Sequence, residues 1–555
     1  MIATPYSNEE RKRSYYAQGF WTHDTINDIW NSQVACHPQR TYVIDDQGQR
    51  LTYAQVDARG ARLASWLLEV GVTPGAVVTF QVPIWSEFAV VFVACLKVGA
   101  VMHPISLRFN GEDVVYAVNL VESAAFLCPK TFHGIDYEAQ VCAVAERIPS
   151  VGGIAVIEHG TPLTSNLPRY EDILAHYPAH THAPAQVSAD DVALILSTSG
   201  TTGKPKAALL THNNLLFSER QFTKELELDE NDIMFMPAPL NHATGFNHGL
   251  LSPLILGGTT VLQQDFCAKT AIDLMNREGV TWSMGATPLI YDLLCAAEAG
   301  AGTPQTLRFY LCGGAPVPGS MVHRARTHGI VLCEVYGSTE SCPHIFVPPA
   351  YALGWNGRFS GRPFEGIEVR VVDEQGKDVP PGVQGEEISR GPNVFVGYLK
   401  GAEATAKALD SDGWFFSGDL CTQDERGRIR ICGRKKEIII RGGENISTRE
   451  VSEAVMGCPG ITDQATIGLP DVRLGERICL YAVATGEKCP SLEDILAYLQ
   501  HKNVPKRLWP EHVEYIDAIP RTESGKIKCN DLFNDLKRRI NITATPLKTP
   551  CQEEI

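Results

Sequence analysis

Short β-rich runs alternate with helical stretches over about the first 430 residues, and this alternation constrains the fold most. It is typical of an α/β protein built on mostly parallel sheets. Ligands of open α/β sheets bind outside the carboxyl ends of the strands. Several strand candidates end at glycine-bearing loops, so these loops predict one shared site. The candidate strands are residues 77–82, 192–196, 233–236, 259–262, 307–312 and 331–335, and the loops contain Ser199-Gly200, Gly257-Gly258, Gly313-Gly314 and Gly337.

A second, smaller domain is predicted beyond the basic segment at residues 433–436. Before that segment, residues 368–372 and 386–389 are typical of strands in a small β region. The elements after it are sufficient for an α+β domain of about 120 residues. We therefore predict one domain at residues 1–435 and another at 436–555. The elements expected in the second domain are strands at 437–440 and 478–484, a helix at 449–456, and a helix capped by Ser491 with Asp494 three residues later.

The composition is that of a globular protein, and it argues against a general nucleic-acid binder. Hydrophobic residues make up 44% of the 555 residues, and the formal net charge is −15. A protein that binds nucleic acid normally carries a basic excess instead. The chain is also longer than one ordinary domain, which favours at least two hydrophobic cores.

The cysteines and the two termini favour a cytoplasmic protein. None of the 16 cysteines forms a CxxC pair, so we expect reduced, partly buried thiols and neither disulfides nor a zinc site. The longest apolar run, residues 88–96, is too short to span a bilayer and predicts a buried helix. The amino terminus lacks the apolar stretch of a signal peptide, and the final Glu553-Glu554-Ile555 is not a peroxisomal address. At most peripheral contact with a membrane is expected.

The most informative local motif is a run of hydroxyl, glycine and lysine residues after the predicted strand at 192–196. Glycines let the backbone approach a ligand closely, while hydroxyls, N–H groups and lysine can surround an anion. The run therefore predicts a loop that binds polyphosphate, with a solvated turn as the alternative. It differs from the common P-loop, because Pro205 stands where that motif has serine or threonine. A helix is expected to begin near Thr211, and the run is Thr198-Ser199-Gly200-Thr201-Thr202-Gly203-Lys204-Pro205-Lys206.

Five further motifs follow along the chain. With the phosphate-binding run they resemble the adenylate-forming superfamily, which contains acyl-CoA synthetases, adenylation domains of peptide synthetases and luciferases. The resemblance covers essentially the whole chain and is greatest to bacterial short- to medium-chain fatty acyl-CoA synthetases. The motifs are Pro239-Leu240-Asn241-His242-Ala243-Thr244-Gly245; Tyr336-Gly337-Ser338-Thr339-Glu340; Ser417-Gly418-Asp419; Gly433-Arg434 with Arg441-Gly442-Gly443-Glu444-Asn445; and Pro520-Arg521-Thr522-Glu523-Ser524-Gly525-Lys526.

The resemblance implies a ligase reaction in two steps. A carboxylate attacks the α-phosphorus of ATP and gives acyl-AMP and pyrophosphate, and the thiol of CoA then displaces AMP. ATP, Mg²⁺ and CoA are therefore the implied cofactor and co-substrates, and a small carboxylic acid is the partner. The first step brings an anion against a polyanion, so the site must spread positive charge over the phosphates. The implied architecture is a large N-terminal domain with a small mobile C-terminal domain, as a monomer or homodimer.

The same resemblance assigns roles at the nucleotide. Tyr336 is expected to stack on adenine, Thr339 to contact the α-phosphate and Glu340 to hold Mg²⁺. Asp419 is expected to accept both ribose hydroxyls, and Arg434 to donate to the same sugar. The residues implied at the phosphates are Thr198, Ser199, Gly200, Thr201, Thr202, Gly203 and Lys206, and Gly337 and Ser338 complete the nucleotide site.

Residues of the predicted second domain divide between the two steps. Lys526 is expected to bridge the substrate carboxylate and an α-phosphate oxygen during adenylation. For thioester formation the domain is expected to swing about the position of Lys436, with Lys526 leaving the site. Gly442 and Gly443 then line the channel for pantetheine, where a narrow passage leaves no room for side chains.

The remaining predictions concern the acyl end of the site. His242 is expected between the acyl pocket and the CoA channel, with a core histidine satisfied by one hydrogen bond as the alternative. Ala207 replaces the glycine that commonly follows Pro-Lys, and Asn241 adds a polar group near the pocket. An aryl or other acid, delivery to a carrier protein, or a nucleotide sensor without catalysis are therefore alternatives. The small residues that leave room for an aliphatic tail are Ala286, Gly313, Gly314 and Ala315.

Overall fold

The computed structural model consists of two compact units. The first comprises residues up to Ser417 together with Cys421–Ile431, and the second comprises Gly418–Leu420 and the residues from Cys432 onward. The predicted boundary between residues 435 and 436 stays a prediction. The structure describes residues 2–180, 187–198, 205–314, 317–435, 438–441, 444–471, 474–486, 489–502, 504–522 and 525–539.

The strands up to residue 434 form two large sheets, a four-stranded sheet and a short hairpin. They are β1 Thr41–Asp45, β2 Arg50–Thr52, β3 Val77–Phe80, β4 Val101–Pro104, β5 Ala125–Pro129, β6 Thr131–Phe132, β7 Ile135–Asp136, β8 Gly153–Ile157, β9 Val192–Thr198, β10 Lys206–Thr211, β11 Ile233–Met236, β12 Thr259–Leu262, β13 Trp282–Ala286, β14 Phe309–Gly313, β15 Leu332–Ser338, β16 Cys342–Phe346, β17 Arg362–Pro363, β18 Glu368–Val372, β19 Gly385–Arg390, β20 Phe415–Gln423 and β21 Ile429–Arg434.

Both large sheets of the first unit are mostly parallel, as the alternation predicts. One sheet has the order β17-β16-β15-β14-β13-β11-β12-β1-β2, in which β1 and β11 to β15 run parallel. The other has the order β10-β9-β4-β3-β5-β8, in which only the β9–β10 pair is antiparallel. The four-stranded sheet β18-β19-β20-β21 is the predicted β region.

Helices of the first unit cover the sheets and enclose a large apolar core. The predicted buried helix at 88–96 is the centre of α4, where every residue from Phe88 to Leu96 is buried. No helix in the described part of the chain is long and apolar enough to cross a membrane. The helices are α1 Glu9–Ala17, α2 Ile26–Cys36, α3 Tyr53–Glu69, α4 Ser86–Val98, α5 Gly111–Val121, α6 Tyr137–Val144, α7 Tyr170–His176, α8 His212–Glu225, α9 Ser252–Leu256, α10 Ala268–Glu278, α11 Thr287–Ala296, α12 Gly319–Thr327, α13 Pro349–Ala352 and α14 Ala402–Ala408.

The second unit is an α+β fold around a mixed sheet. The sheet has the order β23-β22-β25-β24, with β26 parallel to β25. As predicted, Ser491 caps α16 through a reciprocal pair of hydrogen bonds with Asp494. The elements are β22 Ile438–Arg441, β23 Glu444–Ser447, β24 Ile461–Asp471, β25 Gly475–Ala484, β26 His512–Tyr515, α15 Thr448–Val455, α16 Leu492–His501 and α17 Cys529–Arg539.

Two local expectations about the first unit need correction. Gly257-Gly258 does not follow a strand: Gly257 ends α9 with φ 72°, and the pair precedes β12 at its amino end. It therefore lies at the opposite edge of the sheet from Gly313 and Gly337. In addition, β10 intervenes between the predicted phosphate-binding run and the helix, although α8 does begin near Thr211 as expected, with Thr211 as its cap.

Candidate active site

The carboxyl ends of four neighbouring parallel strands bring most of the predicted acyl and nucleotide residues of the first unit together. The strands are β11, β13, β14 and β15, and they are adjacent in the sheet in that order. β13 ends at Ala286, which pairs with Gly313 at the end of β14. The segment with His242 follows β11, and β15 carries Tyr336. The edge is thus where ligands bind in open α/β sheets.

A tight turn between β15 and β16 presents Thr339 and Glu340 at this edge. The hydroxyl of Ser338 accepts hydrogen bonds from the backbone N–H groups of Glu340 (3.2 Å) and Ser341 (3.1 Å). Gly337 is required here, because a Cβ at this position would lie 2.1 Å from the carbonyl oxygen of Cys342. Thr339 and Glu340 are half-exposed, so the turn holds both side chains within reach of a ligand.

The two described ends of the predicted phosphate-binding run lie opposite each other in the antiparallel pair of strands β9 and β10. Thr198 ends β9 and is opposite Lys206, which begins β10. Both residues are half-exposed. The predicted site residues that lie outside the described part of the chain are Ser199, Gly200, Thr201, Thr202, Gly203, Ala315, Lys436, Gly442 and Gly443.

Tyr398 connects the predicted phosphate-binding lysine with the predicted metal-binding carboxylate. Its hydroxyl donates a hydrogen bond of 2.7 Å to Oε1 of Glu340, and Nζ of Lys206 lies 4.7 Å from the centre of its ring. The segment around Tyr398 pairs with β10, since the N–H of Leu209 donates to the carbonyl of Gly397. The N–H of Phe395 donates to the carbonyl of Glu340. Backbone and side chains therefore bring Lys206 and Glu340 to the two sides of one tyrosine.

The geometry at Glu340 fits a magnesium ion that is shared with a nucleotide. Mg²⁺ is usually bound by one or two carboxylates, substrate phosphates and water, because it loses its hydration shell reluctantly. In the described residues no group of three or more His, Cys, Asp or Glu side chains could hold a metal by itself. Glu340 would thus supply one ligand, with phosphate and water oxygens as the others.

His242 begins a short segment that hydrogen bonds hold in place. It is half-exposed, and its Nδ1 accepts a hydrogen bond of 3.3 Å from the N–H of Thr244. The following π-helix, Thr244–Leu251, contains His248, whose Nδ1 lies 2.9 Å from Oε2 of the fully buried Glu219. π-Helical turns occur frequently at functional sites. His242 lies in the segment after β11, the strand next to β13 in the sheet, and β13 ends at Ala286.

The second unit brings together the two residues that are predicted at the ribose. Nε of Arg434 lies 2.9 Å from Oδ1 of Asp419, which is only 5% exposed, whereas Arg434 is exposed. A carboxylate offers oxygen acceptors for hydrogen bonds, and a guanidinium offers only donors. This is the donor and acceptor set that a pair of ribose hydroxyls requires.

Lys526 lies on an exposed turn of the second unit. Its N–H donates to Oγ1 of Thr522 (3.1 Å), and its carbonyl accepts from the N–H of Thr522 (2.8 Å). Arg521 fixes the base of the turn, because its Nη2 lies 2.8 Å from Oδ1 of Asp463. Gly525 has φ 82°, a conformation that favours glycine. The turn thus holds the lysine backbone rigidly and leaves its side chain exposed.

The sequence reasoning missed Tyr398 and the polar residues that support Tyr336. In the sequence Tyr398 is marked only by the preceding Gly397. The structure shows that this segment pairs with β10. Glu387 lies within the predicted strand at 386–389, whereas His344 lies in β16, which the sequence analysis did not predict. Neither residue belongs to a motif with a recognisable spacing, so only the fold reveals that they meet.

Comparisons with known proteins agree with this geometry. The model of the AMP-binding enzyme family matches residues 30–399, and that of the AMP-binding enzyme C-terminal domain matches residues 450–526. The chain belongs to the AMP-binding enzyme family. The prediction of an adenylate-forming acyl-CoA synthetase, an enzyme that uses ATP, Mg²⁺ and CoA, is thereby confirmed at the level of the family.

Individual relatives cover nearly the whole of this AMP-binding enzyme. It is 40% identical over 544 residues to the medium-chain fatty-acid–CoA ligase of Escherichia coli K12, with 97% of this chain and 95% of that protein aligned. It is 34% identical over 498 residues to the feruloyl-CoA synthase of an Amycolatopsis species, covering 89% and 94%. The crystal structure of ATP-bound MatB from Rhodopseudomonas palustris superposes with a TM-score of 0.82 at 26% identity, covering 93% and 100%. The predicted fold class is therefore confirmed.

Proposed function

We propose that this enzyme activates a medium-chain fatty acid with ATP and transfers the acyl group to CoA. The products are acyl-CoA, AMP and pyrophosphate. The observation that carries the proposal is the contact of Tyr398 with both Lys206 and Glu340. It brings a cation for phosphate oxygens, at the start of β10 in the six-stranded sheet, close to a carboxylate for Mg²⁺ in the turn after β15, the strand that carries Tyr336.

The first step follows from the charges at this edge. The substrate carboxylate attacks the α-phosphorus, the bond to the bridging oxygen breaks, and pyrophosphate leaves with its electron pair. Negative charge must be neutralised on both sides of that bond. We assign Lys206 and the magnesium at Glu340 to the pyrophosphate side, and Thr339 and Lys526 to the α-phosphate and carboxylate side.

The second step transfers the acyl group to sulphur. The CoA thiol loses its proton and attacks the acyl carbonyl carbon, the carbon–oxygen bond to AMP breaks, and AMP leaves. We assign the pantetheine channel to the segment with Gly442 and Gly443, and the turning point of the second unit to Lys436, on the resemblance of the motifs alone. A swing of this kind is a conformational step that can be slowed independently of adenylation.

The choice of an aliphatic acid rests on small residues and on a relative. Ala286 and Gly313 end neighbouring strands and Gly314 follows directly, and side chains this small support a place for an aliphatic tail. The E. coli relative named a medium-chain fatty-acid–CoA ligase is 40% identical over nearly the full length. Each methylene contributes only about 0.8 kcal/mol to binding, so pocket shape sets the preferred length within a few carbons.

A panel of acids tests the proposal. The purified enzyme is incubated with ATP, Mg²⁺ and straight-chain acids from butyric to palmitic acid, with and without CoA. We expect exchange of labelled pyrophosphate into ATP without CoA, and AMP with an acyl-CoA when CoA is added. The rate should peak at medium chain length. Formation of ADP and orthophosphate would contradict the proposal.

Paired lysine variants locate the phosphate site. Lys206→Met should lower pyrophosphate exchange by at least about tenfold, because a charged contact to phosphate is lost. Lys407→Met removes an exposed lysine whose partner is Glu403 on the same helix, and it should leave the rate unchanged. Equal rates for the two variants would remove Lys206 from the site.

An aryl acid is the second candidate substrate. The half-exposed Asn241 beside His242 adds a polar group, and a feruloyl-CoA synthase is 34% identical to this chain. Ferulic and benzoic acids in the same assay decide between the two classes by kcat/KM. A purified acyl carrier protein in place of CoA tests the alternative of a carrier-directed ligase, which predicts acyl transfer to the carrier and none to CoA.

A further inference from the structure

A fully buried pair of titratable side chains contacts Tyr336, the residue that is predicted to stack on adenine and is called the adenine platform below. Nε2 of His344 lies 3.1 Å from Oε1 of Glu387, and both side chains have an exposed fraction of 0%. His344 belongs to β16 and Glu387 to β19, so the pair joins the large parallel sheet to the four-stranded sheet. Neither residue has a part in the proposed chemistry.

The pair contacts Tyr336 in two ways. The hydroxyl of Tyr336 donates a hydrogen bond of 3.3 Å to Oε2 of Glu387, so each oxygen of the carboxylate has its own donor. The ring of Tyr336 packs edge-on against the imidazole of His344, with centroids 5.0 Å apart and an interplanar angle of 68°. Together the two contacts fix the direction and the tilt of the tyrosine ring.

The same histidine reaches the turn that carries Glu340. Its Nδ1 lies 3.1 Å from the hydroxyl of Ser341, which is 3.0 Å from the hydroxyl of Ser338. Ser338 in turn accepts the N–H of Glu340. A continuous chain of hydrogen bonds therefore runs from Tyr336 through Glu387 and His344 to the backbone of Glu340.

Such a chain is costly for stability alone. Removing a carboxylate and an imidazole from water carries a large desolvation penalty, and apolar residues of similar volume often serve a core as well or better. The surrounding cluster of Ile345, Val371, Cys421, Ile429 and Ile431 is apolar. A buried polar pair at this place is explained if it serves to orient the neighbouring residues and not to increase the free energy of unfolding.

We propose that Glu387 is a positioning residue, which acts through Tyr336 and His344 to preset the adenine platform and the Glu340 turn before ATP binds. The proposal rests on the proposed function, because it takes Tyr336 as the residue that stacks on adenine. A preset ring and turn lose little conformational freedom on binding, which raises nucleotide affinity without a new contact to the ligand. The carboxylate itself is fully buried, with an exposed fraction of 0%.

A double-mutant cycle with AMP as the probe tests the proposal. Tyr336→Phe keeps the ring and removes its hydroxyl, while Glu387→Gln removes the charge and keeps the shape. We expect each single variant to weaken AMP binding about tenfold, as for the loss of one charge-assisted hydrogen bond. The double variant should be no weaker than Glu387→Gln alone, because the Tyr336 hydroxyl acts only through this carboxylate. The Kd is measured by calorimetry without acid or CoA.

Controls separate positioning from general damage. Glu138→Gln alters another buried carboxylate, which pairs with Lys130 in a part of the sequence distant from Glu387. This variant should destabilise the protein without changing the Kd for AMP. If Glu387→Gln does not fold, the cycle is run with Tyr336→Phe and His344→Gln instead. Additive losses in the double variant, or single variants with the wild-type Kd, would overturn the proposal.

The outcomes also separate this inference from the proposed function. If the wild-type protein does not bind AMP or ATP, the proposed function fails. If it binds AMP and catalyses pyrophosphate exchange but the cycle shows no coupling, only the positioning role fails. A raised KM for ATP with an unchanged kcat at saturating ATP is the kinetic result that we expect for Glu387→Gln.

Discussion

The hydroxyl of Tyr398 donates a hydrogen bond of 2.7 Å to Oε1 of Glu340, although 58 residues separate the two in the chain. Burial and the neighbouring carboxylate raise the pKa of the Tyr398 hydroxyl well above its ordinary value. The hydroxyl is therefore protonated at every physiological pH and always acts as a donor. Glu340 consequently has a defined rotamer before any metal ion or nucleotide arrives.

Removing this hydroxyl should weaken the response of the enzyme to magnesium. In Tyr398→Phe the ring under Lys206 is kept, but Glu340 loses a charge-assisted hydrogen bond of about 1.5–3 kcal/mol. We expect pyrophosphate exchange at low Mg²⁺ to fall about tenfold or more, with partial recovery at high Mg²⁺. The measurement is a magnesium titration of the exchange rate at saturating ATP.

Tyr398→Leu serves as the comparison, because it removes the hydroxyl and the ring together. It should lose further activity that high Mg²⁺ does not restore, since Lys206 then lacks the aromatic face that it contacts. Identical magnesium titrations for wild type and Tyr398→Phe would show that the hydrogen bond does not position Glu340.

Lys526 should act in only one of the two steps. We expect Lys526→Ala to lose at least about a hundredfold in acyl-AMP formation, the scale for one lost transition-state donor. Thioester formation from supplied acyl-AMP should be largely unchanged. The exposed Lys528, two residues away, is the matched control, and Lys528→Ala should leave both half-reactions intact. A Lys526→Ala enzyme that is equally impaired in both half-reactions would contradict the assignment.

Gly337 should tolerate no side chain. In Gly337→Ala the new Cβ would lie 2.1 Å from the carbonyl oxygen of Cys342, so the turn between β15 and β16 must open. We expect a loss of about 1–3 kcal/mol in the free energy of unfolding, together with weaker AMP binding. Urea unfolding and calorimetry measure the two effects. Gly354→Ala, where a Cβ meets nothing within 4 Å, is the control that should match wild type.

The stability of the first unit should fall as the pH drops from neutral. Burial lowers the pKa of His212 to about 4, and its Nδ1 accepts a hydrogen bond of 3.2 Å from the N–H of Ile26. The unfolded chain takes up a proton on this histidine below about pH 6.5, while the folded state does so only near pH 4. The unfolded state therefore gains protons first, and stability decreases as the pH falls through this window.

His212→Asn isolates that contribution, because an amide oxygen can replace Nδ1 as an acceptor but does not titrate. From pH 7 to pH 5 the wild type should lose about 2 kcal/mol more than the variant in the free energy of unfolding. Urea unfolding followed by tryptophan fluorescence at the two pH values measures the difference. Parallel losses in both proteins would show that His212 is not responsible.

Much of the chemistry could be predicted from sequence because it lies in short, ordered motifs. Thr198 ends β9 and Tyr336 lies near the end of β15, as expected for motifs at strand ends, and the start of a helix near Thr211 and the cap at Ser491 are confirmed. The predicted roles at ATP, CoA and the acid stay predictions. The missed strand β10 shows the limit, because its residues were expected only as the approach to a helix.

The sequence by itself determined the fold class and the residue types in the motifs at several strand ends, because periodicity, caps and motifs act over a few neighbouring positions. The tertiary structure decided which strand ends meet, that Tyr398 lies between Lys206 and Glu340, and that Glu387 and His344 lie behind Tyr336. These pairings depend on sheet order and loop closure over tens to hundreds of residues, and no local pattern along the chain encodes them.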